Sequence, residues 1–407
     1  MTRRSLLLSL LQKRPRILLR TGWQTRNIGD VCFTPAMLTA LQRYVPEADV
    51  TCWVKNASDD VRRMIRRDFP NFREVSGDIG DAPVKQAFEE MDLFLYNSGM
   101  VINYGFVYQQ ATSWDAVIGS LLPLYRAKEL GKPYGIYAQT FDAFAEPSPM
   151  VVRRVLSEAS FVYTRDTISL DVLRGAGVKP PAMDFAPDIA LQFRQRDDAR
   201  AKAYLQSAGL EPGKFLMSIG HYAVLTRPSV KDRGPEHCAR MRAVIERWVR
   251  ETGLPVLLAP EDDREMALNK EALLDPLPAA VKAKVKLRET FWLPDEALSV
   301  ALASRTMFNM EPHLNLMALA NGLPCLHCFD YAFGKKAQMF ADFGMGKWAF
   351  DLNRASAAEM GDALLAVHKD YAGAQRYREQ GMKQVEAKTA AAFGVMRKAL
   401  GLGAARG

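Results

Sequence analysis

Cysteine is scarce, with five residues at positions 32, 52, 238, 325 and 328 of a 407-residue chain. A sparse, odd-numbered set is not the disulfide framework of a small secreted scaffold. Cys325-Leu326-His327-Cys328 has the spacing of a metal C-x-x-C. On a strand, however, Cys325 and His327 share one face and Cys328 points to the other. No second cysteine pair follows to complete a tetrahedral zinc site, so these residues read as core or cleft edge and no metal is expected. Long apolar runs are also missing. None approaches the roughly 18 residues of a membrane span. The nucleotide signatures are absent too: there is no G-x-G-x-x-G after a strand, no Walker A pattern and no strict D-x-D. The Gly-x-Gly at 401 and 403 follows no strand and lies at the chain terminus. Neither a solenoid-length repeat nor a low-complexity segment occurs.

What remains is an ordinary globular composition, 48% hydrophobic and 25% charged. Lys and Arg number 54 against 46 Asp and Glu, a formal charge of +8. The excess favours anionic ligands or an anionic membrane face, but it is interspersed and carries no nucleic-acid pattern. The N-terminus starts basic and turns apolar over residues 5–11. Charges return at Lys13 and Arg14 without a small-residue cleavage site. Residues 1–13 therefore read as an amphipathic lead helix able to touch a membrane surface, not as a signal peptide. The expected compartment is the cytoplasm, with peripheral contact at the inner membrane.

Short apolar runs alternate with helical patterns along the chain. Strands are expected at 16–21, 49–54, 92–96, 134–138 and 161–164, with helices at 35–44, 116–130, 150–159 and 169–174. After a charged stretch at 194–200 the alternation restarts. Strands follow at 215–219, 255–259, 306–310 and 325–329, with helices at 235–251, 295–304 and 314–320 and a long helical region at 355–392. Two successive α/β units predict two parallel-sheet, Rossmann-like lobes with a cleft between them. The expected division is 1–200, 201–350 and a helical segment at 351–407.

Ligands of open α/β sheets bind beyond the carboxyl ends of the strands. The polar residues there are Asn27, Gly29 and Asp30 after the first strand, Asn97-Ser98-Gly99 after the third, Arg165 and Asp166, and Asp188. In the second unit they are His221 with Arg227 nearby, Glu261-Asp262-Asp263, and Glu311-Pro312-His313-Leu314-Asn315. Pro312 suits the first position of a helix, which puts Glu311 at the cap and His313 and Asn315 in the first turn. Lys335 and Lys336 follow a Gly-containing loop and can reach an anion.

This ordered set resembles the polysaccharide pyruvyl transferase family: Asn27-x-Gly29-Asp30, Asn97-Ser98-Gly99, Arg165-Asp166-x-x-Ser169, Asp188, and His313 with Asn321-Gly322-x-Pro324 and Lys335. The resemblance spans about residues 16 to 350. It implies a GT-B-like fold whose C-terminal helix returns to the first lobe. It also implies transfer of a pyruvyl group from phosphoenolpyruvate to a sugar of a surface glycan, as in exopolysaccharide biosynthesis, without metal or organic cofactor. On this reading His313 and Asp30 are catalytic. Arg227, Glu311, Asn315 and Lys335 contact the donor, and Asn27, Asn97, Arg165 and Asp188 contact a glycan or lipid-linked sugar acceptor. The family usually carries Arg where Glu311 stands, and a carboxylate there repels phosphate. Two alternatives keep Glu311 in view: a GT-B glycosyltransferase using a nucleotide sugar, and a non-catalytic glycan-binding relative.

Overall fold

The computed structural model describes residues 14–21, 25–54, 58–97, 99–100, 102, 114–142, 148–226, 231–331, 335 and 337–403. The lead segment, Arg227 and Lys336 lie outside them. The buried run Ile17-Leu18-Leu19 makes β1 (Arg16–Arg20) a central strand. It pairs in parallel with β2 (Asp49–Val54) on one side and β4 (Leu93–Tyr96) on the other. With β3 (Arg73–Ser76), β5 (Tyr134–Gln139), β6 (Phe161–Thr164) and β7 (Met183–Phe185), the first sheet has the order β3-β2-β1-β4-β5-β6-β7. A second all-parallel sheet contains β8 (Leu216–Ile219), β9 (Val256–Leu258), β10 (Val285–Leu287), β11 (Thr306–Asn309), β12 (Cys325–Phe329) and β13 (Ala349–Asp351). Its order is β10-β9-β8-β11-β12-β13. Both sheets reverse their strand order beside the first strand of the unit, so each has a ligand-accepting switch point at its carboxyl edge.

Helix α1 (Ile28–Tyr44) starts earlier than its apolar pattern suggests. Asn27 caps it, with Oδ1 accepting from Gly29 N at 2.8 Å and Asp30 N at 3.4 Å. The helices that matter next are α2 (Thr167–Gly175), α3 (Gly234–Thr252), α4 (His313–Ala320), α5 (Ala357–Lys369) and α6 (Tyr371–Ala399). Buried side chains of α1, of the 3-10 turn Ile189–Gln192 and of α4 form one continuous core, so the lobes share apolar surface below the cleft.

The C-terminal helical region divides at Asp370, which caps α6. α6 begins on the second lobe, where Gln375 donates to Gly322 O at 2.7 Å and Arg378 to Leu319 O at 2.9 Å. It ends on the first lobe. Glu386 accepts from Arg43 and Tyr44, Phe393 stacks on Tyr44, and Arg397 forks onto Glu47 at 2.8 and 2.9 Å. No described helix is long and apolar enough to cross a membrane.

Candidate active site

The carboxyl edges of the two sheets meet through the loop after β9 and the residues entering α1. Ile28 N donates to Glu261 O at 2.9 Å, Asp263 N donates to Arg26 O at 2.9 Å, and Asn27 and Asp262 form an antiparallel bridge. Asn27 Nδ2 also reaches Asp262 Oδ2 at 3.3 Å.

His313 opens α4 at this junction. Helix starts leave backbone N–H groups without partners, which a nearby carboxylate satisfies and the helix dipole favours. That carboxylate is Glu261, fully buried. Its Oε2 accepts from Leu314 N at 2.9 Å, and its Oε1 holds His313 Nδ1 at 2.7 Å. Pro312, not Glu311, occupies the cap position, so the helix begins one residue later than the sequence suggests. On its other side the His313 ring lies against the first lobe. A Cβ on Gly29 would stand 2.3 Å from His313 Nδ1, and Phe33 meets the ring edge-on at 5.4 Å. His313 is thus buried at the lobe junction, a histidine–carboxylate pair of one lobe touching the start of α1 in the other.

Glu311 is 1% exposed and is paired inside the second lobe, with Oε1 3.1 Å from His221 Nδ1. The same nitrogen stands 3.2 Å from Ala223 N. It can donate to Glu311 or accept from Ala223, so the ring's protonation decides which partner it serves. Below them sits Glu265, fully buried, whose Oε2 accepts from Glu261 N at 2.8 Å and Asp262 N at 3.0 Å. Burial, then the carboxylates of Glu311 and Glu261, push its pKa well above the ordinary value. Glu265 therefore keeps its proton to higher pH than an ordinary carboxyl does. His221, Glu265 and Glu311, and likewise Glu261, Glu311 and His313, bring donor atoms within 4.8 Å of one another, the arrangement a cation would need.

The remaining residues singled out in the sequence are placed as follows. Asp30 lies half-buried in the first turn of α1. The buried Cys32 thiol has its pKa pushed well up by burial, then by the charges of Asp188, Glu261 and Asp30. Asn97 is buried beneath α1 and donates to Phe33 O at 3.0 Å. Arg165 and Asp188 form a buried ion pair at 3.0 Å, and Asp188 also caps the 3-10 turn through Ala190 N. These two side chains are spent on each other, because a charge buried this deeply needs a counter-charge. Asn315 lies in the body of the second lobe, its amide accepting from Asn309 at 2.9 Å and donating to Leu326 O at 3.1 Å. Lys335 crosses the cleft to Asp142 at 2.9 Å. All five cysteines are free and buried, and His327 stacks between Phe329 and Phe340.

Sequence reasoning named Glu261 and His221 without a role and passed over Glu265. Their strand-end positions were visible. Their partners, which come from other loops, were not.

Two parallel sheets facing across a cleft, tied by a C-terminal helix that begins on one lobe and ends on the other, define a GT-B-like fold. Residues 27–332 match the polysaccharide pyruvyl transferase family, and the chain belongs to that family. Among curated protein sequences none matches it. Solved structures share the fold at low identity. MnaA of S. aureus, solved with UDP, has a TM-score of 0.59 at 12% identity, covering 95% of this chain and 97% of its own. Alr3699/HepE of Anabaena, solved with UDP and glucose, has 0.58 at 10%, covering 96% and 100%. A glycosyltransferase of Rickettsia africae has 0.60 at 7%, covering 96% and 99%.

Proposed function

We propose that the protein moves the pyruvyl group of phosphoenolpyruvate onto a sugar of a surface glycan, free or lipid-linked, and closes it as a ketal. The acceptor lies on the first lobe, residues 1–200, and the donor on the second, residues 201–350. The reaction belongs in the cytoplasm or at the inner face of the membrane. The observation that supports this reading best is the pairing of His313 with Glu261 at the lobe junction. With Nδ1 held by the carboxylate, Nε2 is the acid–base atom. In the reaction a proton adds to the methylene carbon of the enol, and an acceptor oxygen bonds the adjacent carbon as its own proton leaves. The second acceptor hydroxyl then loses its proton and bonds the same carbon as the bond from that carbon to the phosphate oxygen breaks, releasing inorganic phosphate and closing the ketal. Asp30, beside the junction, is the carboxylate that orients the sugar hydroxyls. Lys335 is a described cation on the donor side, with Arg227 and Lys336 as further cations by chemistry. Glu311, the residue that argues against an anionic donor, faces His221 at 3.1 Å, and a protonated His221 would counter its charge.

A second reading, transfer from a nucleotide sugar, is favoured by Glu311 as an acceptor for ribose hydroxyls and by the UDP bound in two proteins of like fold. Calorimetric titration of wild type and Glu311→Gln with phosphoenolpyruvate and with UDP-sugars separates the two. Phosphoenolpyruvate affinity should stay equal or tighten, because a like-charge contact near 4 Å costs on the order of 4 kcal/mol at an effective dielectric of 20. Phosphoenolpyruvate affinity that collapses in Glu311→Gln overturns pyruvyl transfer as drawn here. UDP-sugar affinity that falls in the same variant establishes the second reading.

A further inference from the structure

Arg20 ends β1 on the sheet face turned away from α1. Ile17 and Leu19 join the core shared with α1, whereas Leu18 joins the opposite core with Trp53, Phe94 and Tyr96, and strand alternation puts Arg20 with the latter. Its guanidinium carbon lies 3.8 Å from the centre of the Trp53 ring. Stacking orients a guanidinium and partly repays its desolvation, but it satisfies none of the N–H donors. Nε and Nη1 of Arg20 are buried and have no hydrogen-bond partner among the described residues. The hydroxyl of the neighbouring Tyr96 donates to Ser120 O at 2.8 Å and its oxygen also interacts with the Arg20 guanidinium, which leaves Nε and Nη1 as the donors without a partner among the described residues. Three other deeply placed arginines have a carboxylate, while Arg305, on the Tyr371 ring, bonds only the His368 carbonyl and leaves its Nε unpaired among the described residues. Arg165 has Asp188, Arg288 has Glu296 and Arg397 has Glu47. Arg20 and Arg305 both stand on an aromatic face with a donor unused, but only Arg20 of these stands at the carboxyl end of β1, beside β4, where the strand order of the first sheet reverses.

We propose that Arg20, held on Trp53, is an anion subsite of the first lobe that takes a phosphate or carboxylate group carried by the acceptor. The inference rests on the pyruvyl-transfer reading only in calling the ligand an acceptor; the anion site itself is tested without any donor. An oxyanion supplies the missing hydrogen-bond acceptors and the missing counter-charge together.

The full chain is titrated with pyrophosphate, glucuronate and glucose at constant ionic strength, with the melting temperature as readout, in wild type and Arg20→Gln. A ligand that binds the folded state alone raises that temperature. At least one anion should stabilise the wild type while glucose does not, and Arg20→Gln should weaken that anion at least tenfold. A response to pyrophosphate marks a phosphate-linked acceptor, and one to glucuronate an acidic sugar. If Arg20→Gln does not fold, Arg20→Lys, which keeps the charge but loses the planar donors, is titrated under the same tenfold criterion. No response to either anion, or an equal response in wild type and variant, overturns the proposal. Because phosphoenolpyruvate takes no part, either result leaves the donor question to its own experiment.

Discussion

Gly29 lacks a side chain where the His313 ring needs the room. A Cβ there would lie 2.3 Å from Nδ1 and 2.5 Å from Cγ, far inside contact distance. In Gly29→Ala either the ring or the lobe junction must shift, an overpacking cost of roughly 1–3 kcal/mol. Turnover should fall more than about tenfold, because displaced acid–base groups lose most of their effect. The protein should still fold, and steady-state rates beside a melting curve check both halves. Glu265 supplies the second residue-scale expectation. Its folded pKa is raised by burial and by Glu311 and Glu261, so folding takes up a proton. The stability tied to that proton is complete below the ordinary carboxyl value of 4.5 and is lost as pH rises through the raised folded value. Glu265→Gln removes the requirement. Its melting temperature should depend less on pH above about pH 5 and exceed the wild type at the alkaline end. A parallel pair of curves would count against a neutral Glu265.

α6 acts as a strap because its two ends are held by different lobes. At its C-terminal end Arg397 is buried, and its guanidinium bonds Glu47 twice and Tyr44 O once, at 3.0 Å. Glu47 is half-exposed, which discounts the ionic part. The packing of the arginine stem and the orphaned Tyr44 carbonyl remain. Arg397→Ala should destabilise by about 2 kcal/mol in denaturant melts, and amide exchange should rise first in the last turns of α6. Uniform exchange along the helix would mean that the strap is held elsewhere.

Across the whole molecule the lobes are joined by polar contacts at separate points around the cleft. Asp342 of the second lobe accepts from Thr167 N and Oγ1 at 2.8 Å each, at the start of α2 in the first. Lys335 reaches Asp142, and Ile28 reaches Glu261. Contacts of this kind break and re-form more easily than the apolar core beneath them, so they set how far the cleft opens. Asp342→Ala removes the contact to α2. It should increase the radius of gyration in solution scattering without ligand and weaken binding of donor and acceptor alike, while unfolding free energy changes by less than about 1 kcal/mol. An unchanged scattering profile would show that Thr167 and Asp342 do not govern opening.

The amino-acid order by itself determined the central strands, the alternation that makes two parallel sheets, and the strand-end positions of His313, Asp30 and Glu311. Buried strands such as Leu93-Phe94-Leu95 are apolar on both faces, and that signal survives without context. The edge strands β3, β10 and β13 were not legible, and β7 only as an extended stretch before Pro187. They have three or four residues and one solvated side, so polar residues interrupt the pattern. The helix Asp198–Ala208 was likewise missed: its start lies in the charged stretch 194–200 and the rest was given no element. Tertiary structure alone decided the pairing of charges. It assigned Glu311 to His221, Glu261 to His313, and Arg165 to Asp188. Each pair joins loops far apart in the chain, and a carboxylate's role depends on which cation lies within a few ångströms and how much water is excluded, quantities that exist only once the chain has folded.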